Sequence, residues 1–137
     1  MSRALLEFLA SVVPEENIRQ QEPMSEHTTF RVGGPAEVFV TVDDREQLGK
    51  VIRYLNLTGW SHFLLGNGSN LLVRDGGVRG LIIQLGELFA EVSDPVPLPD
   101  GRVALTAQGG ATLQKLCNAA ADHALSGLEF ASGIPGT

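Results

Sequence analysis

The strongest constraint in this sequence is a strand-helix-strand pattern that runs without a break into a glycine-rich loop. Ala36-Glu37-Val38-Phe39-Val40-Thr41-Val42 is β-branched and aromatic, a composition that suits a strand. Asp43 and Asp44 supply carboxylates that can accept from the free N–H groups of a helix start, and Leu48, Val51, Ile52 and Leu55 then recur at helical spacing until Gly59. His62-Phe63-Leu64-Leu65 resumes as a strand expected to be buried. Two strands joined through a helix predict a parallel βαβ pair with a right-handed crossover. The chain then enters Gly66-Asn67-Gly68-Ser69-Asn70, pinned between Leu65 and Leu71.

The flanks extend this unit on both sides. Residues Ser2 to Val13 read as an amphipathic helix with Leu5, Leu6, Leu9 and Val12 or Val13 on one face, closed by Pro14, and an irregular polar stretch follows. Leu71-Leu72-Val73 and the run from Val78 to Leu85 flank Asp75-Gly76-Gly77, which predicts a hairpin. Phe89 to Val92 and Val103 to Ala107 read as further strands around the turn-forming Pro95 to Gly101. Thr112 then caps a helix carrying Leu113, Leu116, Cys117, Ala120 and Ala124, expected to run to about Ser126 and stop at Gly127. The fold class is therefore α+β, a small parallel unit followed by antiparallel strands. Expected divisions are an N-terminal helix and arm over 1–20, a first subdomain over 21–85 and a second over 86–137.

Charge narrows the function classes. A formal charge of −6 spread along the 137 residues, with no basic patch, argues against nucleic acid or an anionic membrane as partner. The longest apolar runs, such as Leu81-Ile82-Ile83, cannot cross a bilayer, and no signal-peptide pattern opens the chain, so a cytoplasmic location is expected. Cys117 has no His or Cys near it at a zinc spacing and is expected to pack on a helix face. His27, His62 and His123 are scattered, and surface or packing roles are expected for each. No metal site is expected.

Three segments could carry chemistry. In Gly66-Asn67-Gly68-Ser69-Asn70 the two glycines free the backbone, and successive N–H groups can form a concave nest for phosphate oxygens, with Ser69 and the amides of Asn67 and Asn70 as neutral donors. The same composition also serves an ordinary turn. The loop is neither Gly-x-Gly-x-x-Gly nor a Walker loop, and its lack of lysine points to a pyrophosphate held by dipoles. The second segment is Gly133-Ile134-Pro135-Gly136-Thr137, where flanking glycines permit backbone to approach a flat ligand, although most such clusters are turns. Glu129 before it reads as a solvated or capping carboxylate. The third is His27-Thr28-Thr29-Phe30-Arg31-Val32-Gly33-Gly34-Pro35-Ala36, in which Arg31 could reach an anion but reads first as a surface arginine on a loop.

Taken in order, these three segments, with Gly127-Leu128-Glu129-Phe130 before the last, closely resemble the UDP-N-acetylenolpyruvoylglucosamine reductases over nearly the whole chain. The Gly-Asn-Gly-Ser-Asn loop alone is shared with a wider superfamily of flavin oxidases. The resemblance implies an FAD-binding domain of the vanillyl-alcohol-oxidase type. It places the FAD pyrophosphate on Gly66, Asn67, Gly68, Ser69 and Asn70, and Ile134, Pro135, Gly136 and Thr137 against the cofactor near its ring system. It further implies NADPH as reductant and the enolpyruvyl ether of a UDP-sugar as hydride acceptor in the complete enzyme. The family's catalytic arginine, serine and glutamate lie beyond the Gly-Ile-Pro-Gly-Thr motif, so no catalytic residue is placed here. The chain is accordingly expected to be an N-terminal part of the enzyme, inactive alone and prone to self-association. The other readings are a stand-alone flavin-binding module without catalysis, or another flavin oxidase.

Overall fold

A computed structural model describes residues 3–137; Ser2, at the edge of the expected first helix, lies outside them. The sheet at the heart of the chain has four strands: β1 (Ile18–Pro23), β2 (Pro35–Val42), β3 (His62–Leu65) and β4 (Val78–Leu85). Their order is β1-β2-β4-β3, with β1 antiparallel to β2, and β2 and β3 both parallel to β4. A separate pair, β5 (Val96–Pro97) and β6 (Val103–Ala104), is antiparallel. The α+β class, with a parallel unit followed by antiparallel strands, is what the sequence predicts.

Among the described residues, three α-helices complete the fold. α1 (Arg3–Ala10) buries Leu5 and Leu9, and Val13 follows them into the core. α2 (Arg45–Thr58) begins where the Asp44 side chain accepts from the Gln47 N–H at 2.8 Å and ends where the Gly59 N–H reaches the Leu55 carbonyl. α3 (Leu113–Asp122) is capped by Thr112, whose hydroxyl accepts from the Lys115 N–H at 3.1 Å. It stops four residues earlier than expected: the chain leaves the helix at His123 and Ala124 takes a φ of 53°.

The period-two alternation of β2 sorts the core into two layers. Val38, Val40 and Val42, with Leu81 and Ile83 of β4, meet Leu5, Leu9, Val51 and Leu55 from α1 and α2, and Val13 just past α1. On the other face Phe39 and Ile82 pack with Met24, Leu65 and Val73, and a register shift between Ala36 and Val38 accompanies the turning of Ala36 to that side. α1 and α2 cover the first face. Irregular chain covers the second, and the candidate site lies there.

Four expectations are corrected. β1 falls in the polar stretch read as irregular; Ile18-Arg19-Gln20-Gln21-Glu22-Pro23 is an edge strand with most side chains in solvent, so no apolar alternation announces it. It straddles the boundary placed at residue 20, and α1 packs into the sheet's core. Second, β2 and β3 are parallel but not neighbours, because β4 inserts between them; β3 is an edge with only Leu65 buried and with Phe63 and Leu64 half exposed. Third, Asp75-Gly76-Gly77 does not close a hairpin. Leu71-Leu72-Val73 forms no strand to pair across the turn; β4 pairs in parallel with β2 and β3 instead, and the whole segment 66–77 serves as the crossover from β3. Fourth, Phe89 to Val92 is largely not a strand: Glu87–Phe89 is a turn of 3-10 helix, and only Val92 bridges to Ala107.

Candidate functional site

The glycine-rich loop leaves the carboxyl end of β3, where open sheets with parallel strands commonly bind ligands. Gly68 is buried with φ +61°, and a Cβ built on it would collide with the carbonyl oxygen of His27. Any other residue here would meet both a left-handed backbone and a neighbouring chain. Gly66 is tight for a different reason: a Cβ there would strike the hydroxyl of Thr137. The two glycines thus let three stretches of backbone converge.

The first stretch is the loop itself. The second is a strap, residues 24–34, which crosses the Phe39 face between β1 and β2. Its ends are joined by the Met24 N–H donating to the Gly34 carbonyl at 3.2 Å, and its middle reaches the loop through the Thr29 N–H, which donates to the Gly68 carbonyl at 3.1 Å. The third is 133–137. Ser69 donates through Oγ to the Pro135 carbonyl at 3.4 Å, and the Gly136 carbonyl accepts from the Leu113 N–H at the start of α3 at 3.0 Å. Residues 66–70 and 134–137, singled out separately in the sequence, are therefore brought together.

The Gly68 carbonyl is engaged by Thr29, but among the described residues no protein group accepts the backbone N–H of Gly66, Asn67, Gly68, Ser69 or Asn70, nor that of Gly136 or Thr137. Backbone N–H groups in folded chains nearly always find partners, and a run of them without protein acceptors is a set of donors available to an anion. The loop contains no charged residue, so attraction there rests on dipoles. Beside it opens a cleft of about 390 Å³ lined by Glu26, His27, Thr28, Thr29, Arg31, Asn67 and Gln84. These features fit a diphosphate-bearing cofactor: glycine backbone that approaches closely, unclaimed donors, and room alongside.

The other sequence candidates fall outside this cluster or at its rim. Glu129 accepts from the Gly127 N–H at 2.8 Å and so caps its own turn. Cys117 is half-buried, with Sγ 3.6 Å from the Leu128 carbonyl. His62 contacts the Trp60 carbonyl on the surface, while His27 packs on Phe39. Arg31 is exposed at the cleft, in a left-handed conformation with φ 53°. The sequence placed His27 and Thr29 in the third candidate segment but gave neither a role of its own; in that motif Gly33-Gly34 allow the strap to pass beside Val73 and Asp75. Among the described residues no group of His, Cys, Asp and Glu side chains is arranged to hold a metal, and no helix is long and apolar enough to cross a membrane.

Comparison with known proteins agrees with this geometry. Residues 36–137 match the FAD binding domain family. The chain is 44% identical over 133 residues to a UDP-N-acetylenolpyruvoylglucosamine reductase of Clostridium tetani, covering 97% of this chain and 40% of that protein. It is 38% identical over 137 residues to the protein of that name from Caldanaerobacter subterraneus, covering 43% of it. Among solved structures, UDP-N-acetylenolpyruvylglucosamine reductase from Thermus caldophilus superposes with a TM-score of 0.62 at 36% identity, over 83% of this chain and 37% of that one. The chain thus spans about 40% of the length of the curated relatives it matches. With a glycine cradle, unclaimed amide donors and a family match that runs through both, this chain belongs to the FAD-binding domain family, and FAD is its cofactor.

Proposed function

We propose that this chain is the FAD-diphosphate end of a UDP-N-acetylenolpyruvoylglucosamine reductase, the enzyme that yields UDP-N-acetylmuramate for peptidoglycan. The observation that carries the reading is the run of backbone N–H groups from Gly66 to Asn70 without protein acceptors, held beside 134–137. Gly66, Asn67, Gly68, Ser69 and Asn70 receive the pyrophosphate oxygens, and Ile134, Pro135, Gly136 and Thr137 lie along the cofactor. The chain's contribution is to bind and orient: rigid, preorganised N–H dipoles offset the diphosphate charge without a lysine. When bound, FAD would supply the hydride chemistry, between NADPH and the enolpyruvyl ether of the UDP-sugar. No residue of this chain is assigned a catalytic role.

The first cofactor-binding subdomain, expected over 21–85, then takes in the whole of β1, and 86–137 is the start of the second, in a cytoplasmic enzyme. The exposed apolar side chains of the second part, among them Leu88 and Phe130, support self-association, which light scattering measures directly.

The site reading is tested with Gly68→Val. The variant adds a side chain where the His27 carbonyl leaves no room and strains a backbone at φ +61°, so loss of FAD retention is expected. Normal flavin content in a folded Gly68→Val protein returns the loop to a plain turn. At the level of the enzyme, Gly68→Val in the complete protein should abolish FAD retention, while this chain alone should not oxidise NADPH in the presence of the enolpyruvyl UDP-sugar. Flavin-dependent turnover by the chain alone overturns the assignment.

A further inference from the structure

The strap shows how the loop's donors acquire a direction. A peptide unit is planar and trans, so its carbonyl and the next N–H point opposite ways. The Gly68 carbonyl is held by the Thr29 N–H, and the Ser69 N–H is thereby turned away from the strap. Thr29 can do this only if the strap is fixed. Part of its stiffness is internal: Thr28 is buried, and its hydroxyl donates to the Val32 carbonyl at 3.1 Å, while the Arg31 N–H closes a turn on the Thr28 carbonyl.

Fixing to the sheet comes through His27. Its ring stacks on Phe39 of β2 with centroids 4.1 Å apart, and Nε2 donates to Glu22 Oε1 of β1 at 2.8 Å. The His27 and Glu22 side chains are only 13% and 16% exposed, so the bond is largely shielded from water. Arg19 sits by the same pair, with Nη1 3.8 Å from Glu22 Oε1 and its guanidinium carbon 5.9 Å from the Phe39 ring centre. Two residues on from this ring is the amide that grips Gly68.

We propose that His27 is a positioning residue for the cofactor's diphosphate. Locked between Glu22 and Phe39, it holds the strap so that Thr29 fixes the Gly68–Ser69 peptide with the Ser69 N–H toward the anion. The role rests on the diphosphate reading above, and the experiment separates the two. FAD affinity is measured by quenching of flavin fluorescence, and exchange of the Thr29 amide, which is bonded to the Gly68 carbonyl, is measured without FAD, in wild type, His27→Ala, His27→Gln and Gly68→Val. His27→Ala should weaken FAD about tenfold or more and speed Thr29 exchange while the amides of β4 keep their protection. His27→Gln retains an N–H donor toward Glu22 and should recover most of the affinity, which mere repair of packing against Phe39 would not achieve. Unchanged Thr29 exchange in His27→Ala, or FAD affinity within about twofold of wild type despite a loosened loop, overturns the positioning role. If Gly68→Val also binds normally, the diphosphate reading fails with it.

Discussion

The two parts of the chain are built to different standards. Both hydrophobic clusters draw every buried member from residues between Leu5 and Ile83, with β2 and β4 buried on both faces. From residue 86 onward the buried hydrophobics are Phe89, Ala111, Ala120 and Ala131, and alanine removes little area from water. The apolar side chains of that part line an open cleft of about 440 Å³ between the β5–β6 pair and α3, including Leu98, Val103, Leu116, Leu125 and Leu128. The glycine-rich loop belongs to the dense part and the 133–137 segment to the thin one. The candidate site thus sits on the seam, where a rigid frame presents one set of donors and a loosely held segment presents another. Ligand-binding elements are commonly drawn from the less stable end of a structure, and here one wall is and one is not.

The sharpest break of this comparison comes from truncating one core side chain in each part. Ile83→Ala removes a fully buried side chain between two helices and the sheet and should cost about 2–5 kcal/mol. Leu116→Ala, at the wall of the open cleft, should cost less than about 1.5 kcal/mol, since its side chain is only half-buried. Denaturant unfolding of both variants decides it, and equal losses would show that the thin part is as well packed as the dense one.

Helix caps sharpen the contrast at smaller scale. Asp44→Ala and Thr112→Ala each delete one side-chain acceptor at a helix start, worth about 1 kcal/mol. α2 contributes Val51 and Leu55 to the main core, so the first change should lower the cooperative melting temperature. α3 buries only Ala120, and the second should appear mainly as local exchange in its first turn.

The smallest effect is expected at the tip of the β5–β6 turn. The Arg102 side chain, bonded to Asp100 Oδ2 at 2.7 Å, holds that carboxyl below its ordinary range, and the Arg102 backbone N–H adds to the effect. A depressed carboxylate stabilises the fold above its unfolded pKa and loses that contribution as pH falls through the folded value. The pair is fully solvated, so Asp100→Asn should leave melting at neutral pH nearly unchanged and flatten only a slight acid-side decline.

How much was legible follows from the same contrast. α2 and β2 could be read residue by residue because one carries its Asp44 cap and helical apolar spacing and the other its β-branched run, both local signals. β1 could not, because an edge strand of Arg, Gln and Glu has no apolar face to advertise. The hairpin expected at Asp75-Gly76-Gly77 failed because strand order was decided by nonlocal packing: Ile82 and Ile83 each bury on one face of the sheet, which calls for a central place between β2 and β3. At the site, Gly66 to Asn70 and Ile134 to Thr137 were visible as separate glycine clusters. Their convergence was not, since it depends on Ser69 reaching Pro135 across the fold, and neither was the strap, whose working contact is a backbone N–H that any residue at Thr29 except proline would carry.

The most direct test of the seam is amide exchange along the whole chain with and without FAD. Protection on adding FAD should concentrate at 66–70 and 133–137, with the first turn of α3 following because Leu113 bonds to Gly136, while β2 and β4 change little. Protection confined to the cleft between β5, β6 and α3, or no change at Gly66 to Asn70, would contradict the assignment of the unclaimed N–H groups to the cofactor.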